Sequence, residues 1–101
     1  MGTITLLVVL TTGVEKGRAT EAPGRELGKA LFDSVAMSPA GKSCASCHPE
    51  GKGLEEIDAY DDGMLKEMIN FCIRDALKGQ MLPEDSQELE SLLLYLRSLK
   101  K

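Results

Sequence analysis

Hydrophobic residues recur every three or four positions in three segments of the chain, and no segment alternates apolar and polar side chains. This spacing is typical of amphipathic helices, and it predicts helices over residues 24–35, from about 62 to 78, and 84–99. The apolar positions are Leu27, Ala30, Leu31, Phe32 and Val35 in the first helix; Leu65, Met68, Ile69, Cys72, Ile73 and Ala76 in the second; and Leu89, Leu92, Leu93, Leu96 and Leu99 in the third. Three such helices without strands predict an all-α domain.

Residues that favour helix ends flank the second and third segments. Asp61 or Asp62 can cap the second helix, and Gly79 stands where a helix C-terminus favours glycine. Asp85 and Glu88 have the spacing of a capping box at the start of the third helix. The intervening residues 80–83 therefore form a short linker.

Residues 36–62 hold most of the helix-breaking residues, which are Pro39, Gly41, Pro49, Gly51 and Gly53. They predict a long loop, and a long loop within a compact domain usually carries function. This loop contains the pentad Cys44-Ala45-Ser46-Cys47-His48.

Size and composition are typical of a domain that is stabilised by a disulfide, a metal or a cofactor. The chain has 101 residues, enough for one domain. It contains no Trp, and its only aromatic residues are Phe32, Phe71, Tyr60 and Tyr95. Because so small a domain buries too little of its own surface to be comfortably stable, an apolar cofactor is a reasonable replacement for the missing large side chains.

The pentad matches the site of covalent haem attachment. Two cysteines separated by two residues can each add a thiol to a haem vinyl group, and the histidine that follows becomes the proximal iron ligand. We therefore predict one haem c, with Cys44 and Cys47 as thioether anchors and His48 as ligand.

Two other chemistries use similar residues. A thioredoxin-like thiol pair needs a βαβ context, which the pattern lacks. A structural zinc site would need Cys44, Cys47, Cys72 and His48, the only histidine, yet adjacent Cys47 and His48 rarely reach one tetrahedral metal together. Haem is the interpretation that the residues favour.

Over residues 24–100 the sequence resembles the small class I cytochromes c. In that family a first helix with a glycine and an aromatic residue crosses the last helix near another aromatic residue, and Gly28, Phe32 and Tyr95 occupy matching places. The resemblance implies a cytochrome c-like fold, about three main helices around one covalent haem. It also implies an electron carrier that meets redox partner proteins in transient encounters, and not an enzyme.

The same resemblance points to Met81 as the distal iron ligand, because class I cytochromes place a methionine in the loop before the last helix. Thioether sulfur is a soft, neutral ligand that raises the reduction potential. Two other methionines have simpler explanations: Met68 lies on the apolar face of the second helix, and Met64 in its first turn.

Cys72 and Asn70 are the alternatives to Met81. The segment Ile69-Asn70-Phe71-Cys72 resembles thiosulfate dehydrogenase and SoxA-type sulfur cytochromes, in which a cysteine above the haem can bind iron. That resemblance implies a haem enzyme or sensor acting on a sulfur compound or a small gas, at Cys72 or an open distal site. Cys72 is equally explained as a core residue, and Asn70 as an exposed helix residue.

The N-terminal residues predict an exported protein. Residues 4–10 form an apolar run too short to span a membrane, and Gly17-Arg18-Ala19 resembles a signal-peptidase site. A buried strand or a disordered tag would also explain the run. Since the family attaches haem outside the cytoplasm, we expect residues 1–19 to be a signal peptide without the usual basic start. Residues 20–101 would then be a periplasmic or otherwise extracytoplasmic monohaem domain without a stable membrane span.

The net charge argues against a nucleic-acid partner. The chain carries a formal charge of −4, and removal of Glu15, Lys16 and Arg18 with the first nineteen residues would leave about −5. An acidic domain is repelled by phosphate backbones.

Overall fold

The computed structural model describes residues 22–99, and every regular element within this range is helical. The elements are α1 (Arg25–Asp33), α2 (Cys44–Cys47), a 3₁₀ turn (Pro49–Gly51), a second 3₁₀ turn (Ile57–Ala59), α3 (Asp62–Asp75) and α4 (Gln87–Arg97). The all-α prediction is confirmed for the described residues. The predicted signal peptide, residues 1–19, lies outside them.

Helices α1 and α4 form the most extensive contact of the fold. They meet at Gly28, where an added Cβ would collide with the carbonyl oxygen of Ser91 and lie 2.7 Å from the Cβ of Tyr95. The backbone N–H of Gly24 donates to Ser91 Oγ at 3.0 Å. One turn further along, the rings of Phe32 and Tyr95 pack with centroids 5.2 Å apart and planes inclined by 58°. A close crossing of these two helices is therefore possible only with glycine at position 28.

The buried stripe of α1 differs from the predicted one. Gly28 and Phe32 are buried, whereas Leu27 and Leu31 are half-buried. Val35 is 53% exposed, so its assignment to the stripe was wrong. The reason is that α1 ends at Asp33, and the extended backbone of Ser34 carries the chain away from the helix.

Helix α3 starts as predicted but ends three residues early. Asp61 caps it by accepting the backbone N–H of Met64 at 2.8 Å. Beyond Asp75 the chain turns, and Lys78 has a positive φ of 61°. Gly79 follows, and it lies so close to Met37 that an added Cβ would collide with the Met37 carbonyl oxygen. Gly79 is thus required by a close contact and not by a left-handed φ.

Helix α4 is shorter than the predicted segment at both ends. Its N-cap is Ser86, whose Oγ accepts the backbone N–H of Leu89 at 3.1 Å, so the predicted Asp85–Glu88 capping box is wrong. The predicted apolar face is confirmed from Leu89 to Leu96, and Leu99 lies half-buried beyond the helix.

The core combines residues from all of the longer helices and from the second 3₁₀ turn. Its buried members are Phe32, Ile57, Leu65, Ile69, Ile73, Leu77, Leu89, Leu92, Leu93 and Leu96. The predicted apolar face of α3 is divided: Leu65, Ile69 and Ile73 are buried in this core, while Met68, Cys72 and Ala76 are exposed. Half of that face is therefore left without a protein partner among the described residues. None of the described helices has the length and apolar character needed to cross a membrane.

Candidate functional site

An apolar cleft is lined by residues of α3, of the segment that carries the Cys-x-x-Cys-His pentad, and of the neighbouring helices. The cleft is open to solvent, and about 750 Å³ between its walls and in the solvent at its mouth is not filled by protein atoms. Its lining residues are Phe32, Ser43, Cys44, Cys47, His48, Leu54, Ile57, Leu65, Met68, Ile69, Cys72, Ala76, Leu77, Leu92 and Leu96. The structure thus brings Cys44, Cys47 and His48 together in the lining of one cavity that is otherwise almost entirely apolar.

A short capped helix positions the two cysteines. In α2, Ser43 Oγ accepts the backbone N–H of Ser46 at 3.1 Å, and Ser46 Oγ accepts that of Ser43 at 2.9 Å. This reciprocal cap stabilises a single helical turn, in which residues three apart lie on the same face. Cys44 and Cys47 consequently point toward one cavity. The serines that hold the turn were not singled out from the sequence, although Ser-x-x-Ser is a variant of the capping-box spacing.

The imidazole of His48 is held in one tautomer by the backbone. Its Nδ1 lies 2.9 Å from the carbonyl oxygen of Lys52. A carbonyl can only accept a hydrogen bond, so Nδ1 carries the proton and donates it. The lone pair of Nε2 is then available to bind a metal, which is the arrangement found in most metal-bound histidines.

Gly53 packs directly against the same imidazole. Its φ is +90°, a region that favours glycine, and an added Cβ would lie 3.2 Å from His48 Nδ1. The sequence identified Gly53 only as a loop residue, because its contribution is to leave room for the ring and not to supply a chemical group.

The cleft environment raises the pKa of two of its thiols, those of Cys44 and Cys72. Burial, with a smaller contribution from Cys72, raises the pKa of Cys44 to about 11. Partial burial, followed by the charge of Asp75 and the proximity of Cys47, raises the pKa of Cys72. Both groups are therefore neutral thiols at neutral pH, as expected in an apolar cavity.

Helix α3 contributes two sulfur-containing side chains to the cleft. Met68 and Cys72 both line it, as does Ile69. Met81, the predicted distal ligand, is instead 47% exposed in the segment between α3 and α4 and is not a lining residue. Met64 is likewise exposed outside the cleft.

Asn70 lies on α3 but does not line the cleft. Its Nδ2 donates to the carbonyl oxygen of Leu82 at 2.9 Å, and its Oδ1 accepts the Leu82 N–H at 2.7 Å. Both ends of the carboxamide are therefore engaged by the backbone of the residue that follows Met81.

Within residues 22–99, no three histidine, cysteine, aspartate or glutamate side chains are grouped so that they could together hold a metal ion. Comparison of the chain with protein-family models, curated proteins and solved structures finds no match.

Proposed function

We propose that the chain is a class I-type cytochrome c, an electron carrier with one haem attached covalently to Cys44 and Cys47 and ligated by His48. The observation that carries this proposal is that two thiols on one helical turn and an imidazole with a free Nε2 line the same apolar cleft. Covalent haem attachment uses this donor set in this order.

The residues present fit such a group. A porphyrin is flat and apolar over most of its surface, and the cleft exposes Met68, Cys72 and Ala76 on a helix face that has no protein partner in the described part of the chain. A bound ring would cover that face and remove it from water, which stabilises the domain. It would also supply the bulk that a chain without Trp and with only four aromatic residues lacks.

Haem held there supplies an iron that cycles between the ferric and ferrous states. Residues of the chain provide attachment, ligation and an apolar environment. Cys44 and Cys47 would fix the ring in the cleft, and His48 would supply Nε2 as the ligand to the iron. The hydrogen bond to the Lys52 carbonyl keeps the imidazole in one orientation and makes it a more basic ligand. The apolar walls exclude water, which lowers the reorganisation that accompanies each change of charge.

For the distal position we propose Met81, on the strength of the family resemblance. Its loop lies before the last helix, as in class I cytochromes, and a neutral thioether suits a carrier. The Met81 side chain is 47% exposed and would have to turn toward the cleft about its held backbone, so the identity of this ligand needs a direct test.

Cys72 is favoured as an alternative by one observation: it already lines the cleft that the pentad lines, whereas Met81 does not. A thiolate ligand there would lower the potential and would suit a haem enzyme or sensor acting on a sulfur compound or small gas. Its raised pKa opposes ionisation, which iron binding would have to offset.

Visible spectroscopy of the purified ferric protein distinguishes the two. Ferric iron bound to methionine gives a weak far-red charge-transfer band. We expect that band in the wild type, its loss in Met81→Ala, and its retention in Cys72→Ala and in Met68→Leu, which replaces the cleft methionine by a side chain of similar volume. Loss in Met68→Leu instead would identify Met68 as the ligand, and an unchanged spectrum in Met81→Ala would rule out Met81.

As a carrier, the protein would work outside the cytoplasm. We propose export through residues 1–19, haem attachment on the extracytoplasmic side, and brief docking to redox partner proteins.

A further inference from the structure

Two hydrogen bonds tie α3 to the segment that contains Met81. They join the Asn70 side chain to both backbone groups of Leu82, with donor–acceptor distances of 2.7 and 2.9 Å. The two residues are twelve positions apart, and both are half-buried. This pairing satisfies a backbone donor and a backbone acceptor in the same way as a neighbouring strand would.

The segment is also fixed on the N-terminal side of Met81. The Gly79 N–H donates to the carbonyl oxygen of Ile73 at 2.8 Å, and Gly79 packs closely against Met37. Met81 therefore lies between two fixed points, Gly79 and Leu82, with only Gln80 between it and the first. Its backbone position is set by these two attachments.

The carboxamide of Asn70 supplies both halves of this attachment. Its carboxamide offers a donor and an acceptor at the distance that the Leu82 backbone requires. Alanine would leave the N–H and the carbonyl of Leu82 without their partner. Aspartate could still accept from the Leu82 N–H, but its charged oxygen would repel the Leu82 carbonyl.

We propose that Asn70 is a positioning residue for the distal iron ligand, which holds the Met81 segment against α3 so that the methionine is retained at the haem. The inference rests on the proposed cytochrome function and on Met81 as ligand. Asn70 is thereby assigned a positioning role and not the role of iron ligand, since both polar ends of its side chain are already bonded to the backbone.

The test is to titrate the ferric holoprotein with imidazole, which displaces the distal ligand. The loss of the far-red band measures the displacement. A loosely held methionine is displaced more easily. We expect Asn70→Ala to lower the imidazole concentration at half-displacement about tenfold, which is what the loss of about 1.4 kcal/mol in methionine binding would produce. Asn70→Asp keeps the bond from the Leu82 N–H but sets a charged oxygen against the Leu82 carbonyl, so it should also lower this concentration.

Glu67→Ala is the matched control, because Glu67 is an exposed residue of the same helix outside the cleft. It should leave the half-displacement concentration unchanged. Circular dichroism checks that each variant folds. If Asn70→Ala does not fold, the test is made with Asn70→Asp.

Two results overturn the inference. One is an unchanged half-displacement concentration in a folded Asn70 variant. The other is a far-red band that persists in Met81→Ala, which removes Met81 as the ligand but leaves the haem assignment intact. Failure of the haem proposal itself is recognised separately, by a mature protein that carries no covalent haem.

Discussion

The orientation of the His48 imidazole depends on a backbone carbonyl that accepts its hydrogen bond and on a glycine whose missing side chain leaves room for the ring. Lys52 supplies the carbonyl and Gly53 leaves the space, since an added Cβ would lie 3.2 Å from Nδ1. The motif Cys44 to His48 could be identified from the sequence because its chemistry resides in contiguous side chains. The contributions of Lys52 and Gly53 could not, because any residue has a carbonyl and a loop glycine usually indicates only a turn.

Gly53→Ala tests the packing beneath His48. A side chain at φ +90° costs about 1–2 kcal/mol of unfolding free energy, and the new methyl group also presses on the imidazole. We expect a lower unfolding midpoint and a changed reduction potential in the holoprotein.

Gly41→Ala is the control for that substitution. Gly41 has a comparable φ of +78° but nothing within 4 Å of an added Cβ. It should lower the unfolding midpoint by a similar amount and leave the reduction potential unchanged. An equal change of potential in both variants would show that Gly53 has no specific effect on His48.

The crossing of α1 and α4 is the closest contact between elements. Gly28→Ala places a methyl group against the Ser91 carbonyl, and because backbone cannot move aside cheaply, we expect a loss of about 3 kcal/mol in chemical denaturation. Gly24→Ala, with nothing within 4 Å, should cost less than about 1 kcal/mol. Equal losses in the two variants would mean that the helices separate readily at this point.

Arg97 connects the end of α4 to the residues that precede α3. Its guanidinium donates to the carbonyl oxygens of Ile57 at 3.0 Å and Tyr60 at 2.6 Å, and to Asp62 Oδ1 at 2.9 Å. Ile57 is a core residue that lines the cleft. The guanidinium therefore holds one wall of the cleft in place.

Arg97→Ala should lower the free energy of unfolding by about 2–3 kcal/mol, since it leaves partly buried carbonyls without a charged donor. The measurement is urea denaturation followed by circular dichroism. Arg74→Ala is the control, because that side chain is exposed and pairs with its neighbour Asp75. It should leave the midpoint unchanged, and an equally small effect of Arg97→Ala would contradict the assigned role.

Periodicity predicted the existence of the three longer helices but not their ends. The ends of these helices are hard to predict because neighbouring residues look equally suitable as caps in the sequence. Ser86 caps α4 although Asp85 stands beside it with a glutamate at the correct spacing, and α3 ends before Lys78 because tertiary contacts hold Gly79 against Met37. Where two residues have similar capping propensities, packing elsewhere in the chain decides which one caps the helix.

For the molecule as a whole, the exposed half of the α3 face is the feature that periodicity alone could not assign. Met68, Cys72 and Ala76 follow the same spacing as Leu65, Ile69 and Ile73, so the sequence predicts one continuous buried face. The fold buries Leu65, Ile69 and Ile73. It leaves Met68, Cys72 and Ala76 exposed in the cleft lining, because no described element covers them. A cofactor in the cleft would complete the core that the pattern predicts.

The central claim is tested most directly by the intact mass of the mature protein, produced in a host that attaches haem c and purified from its extracytoplasmic fraction. We expect the polypeptide plus one covalently bound haem, retained after denaturation in acid. The double variant Cys44→Ala/Cys47→Ala should lose the added mass, and Cys72→Ala should keep it. A mature wild-type chain that carries no haem under these conditions would contradict the account.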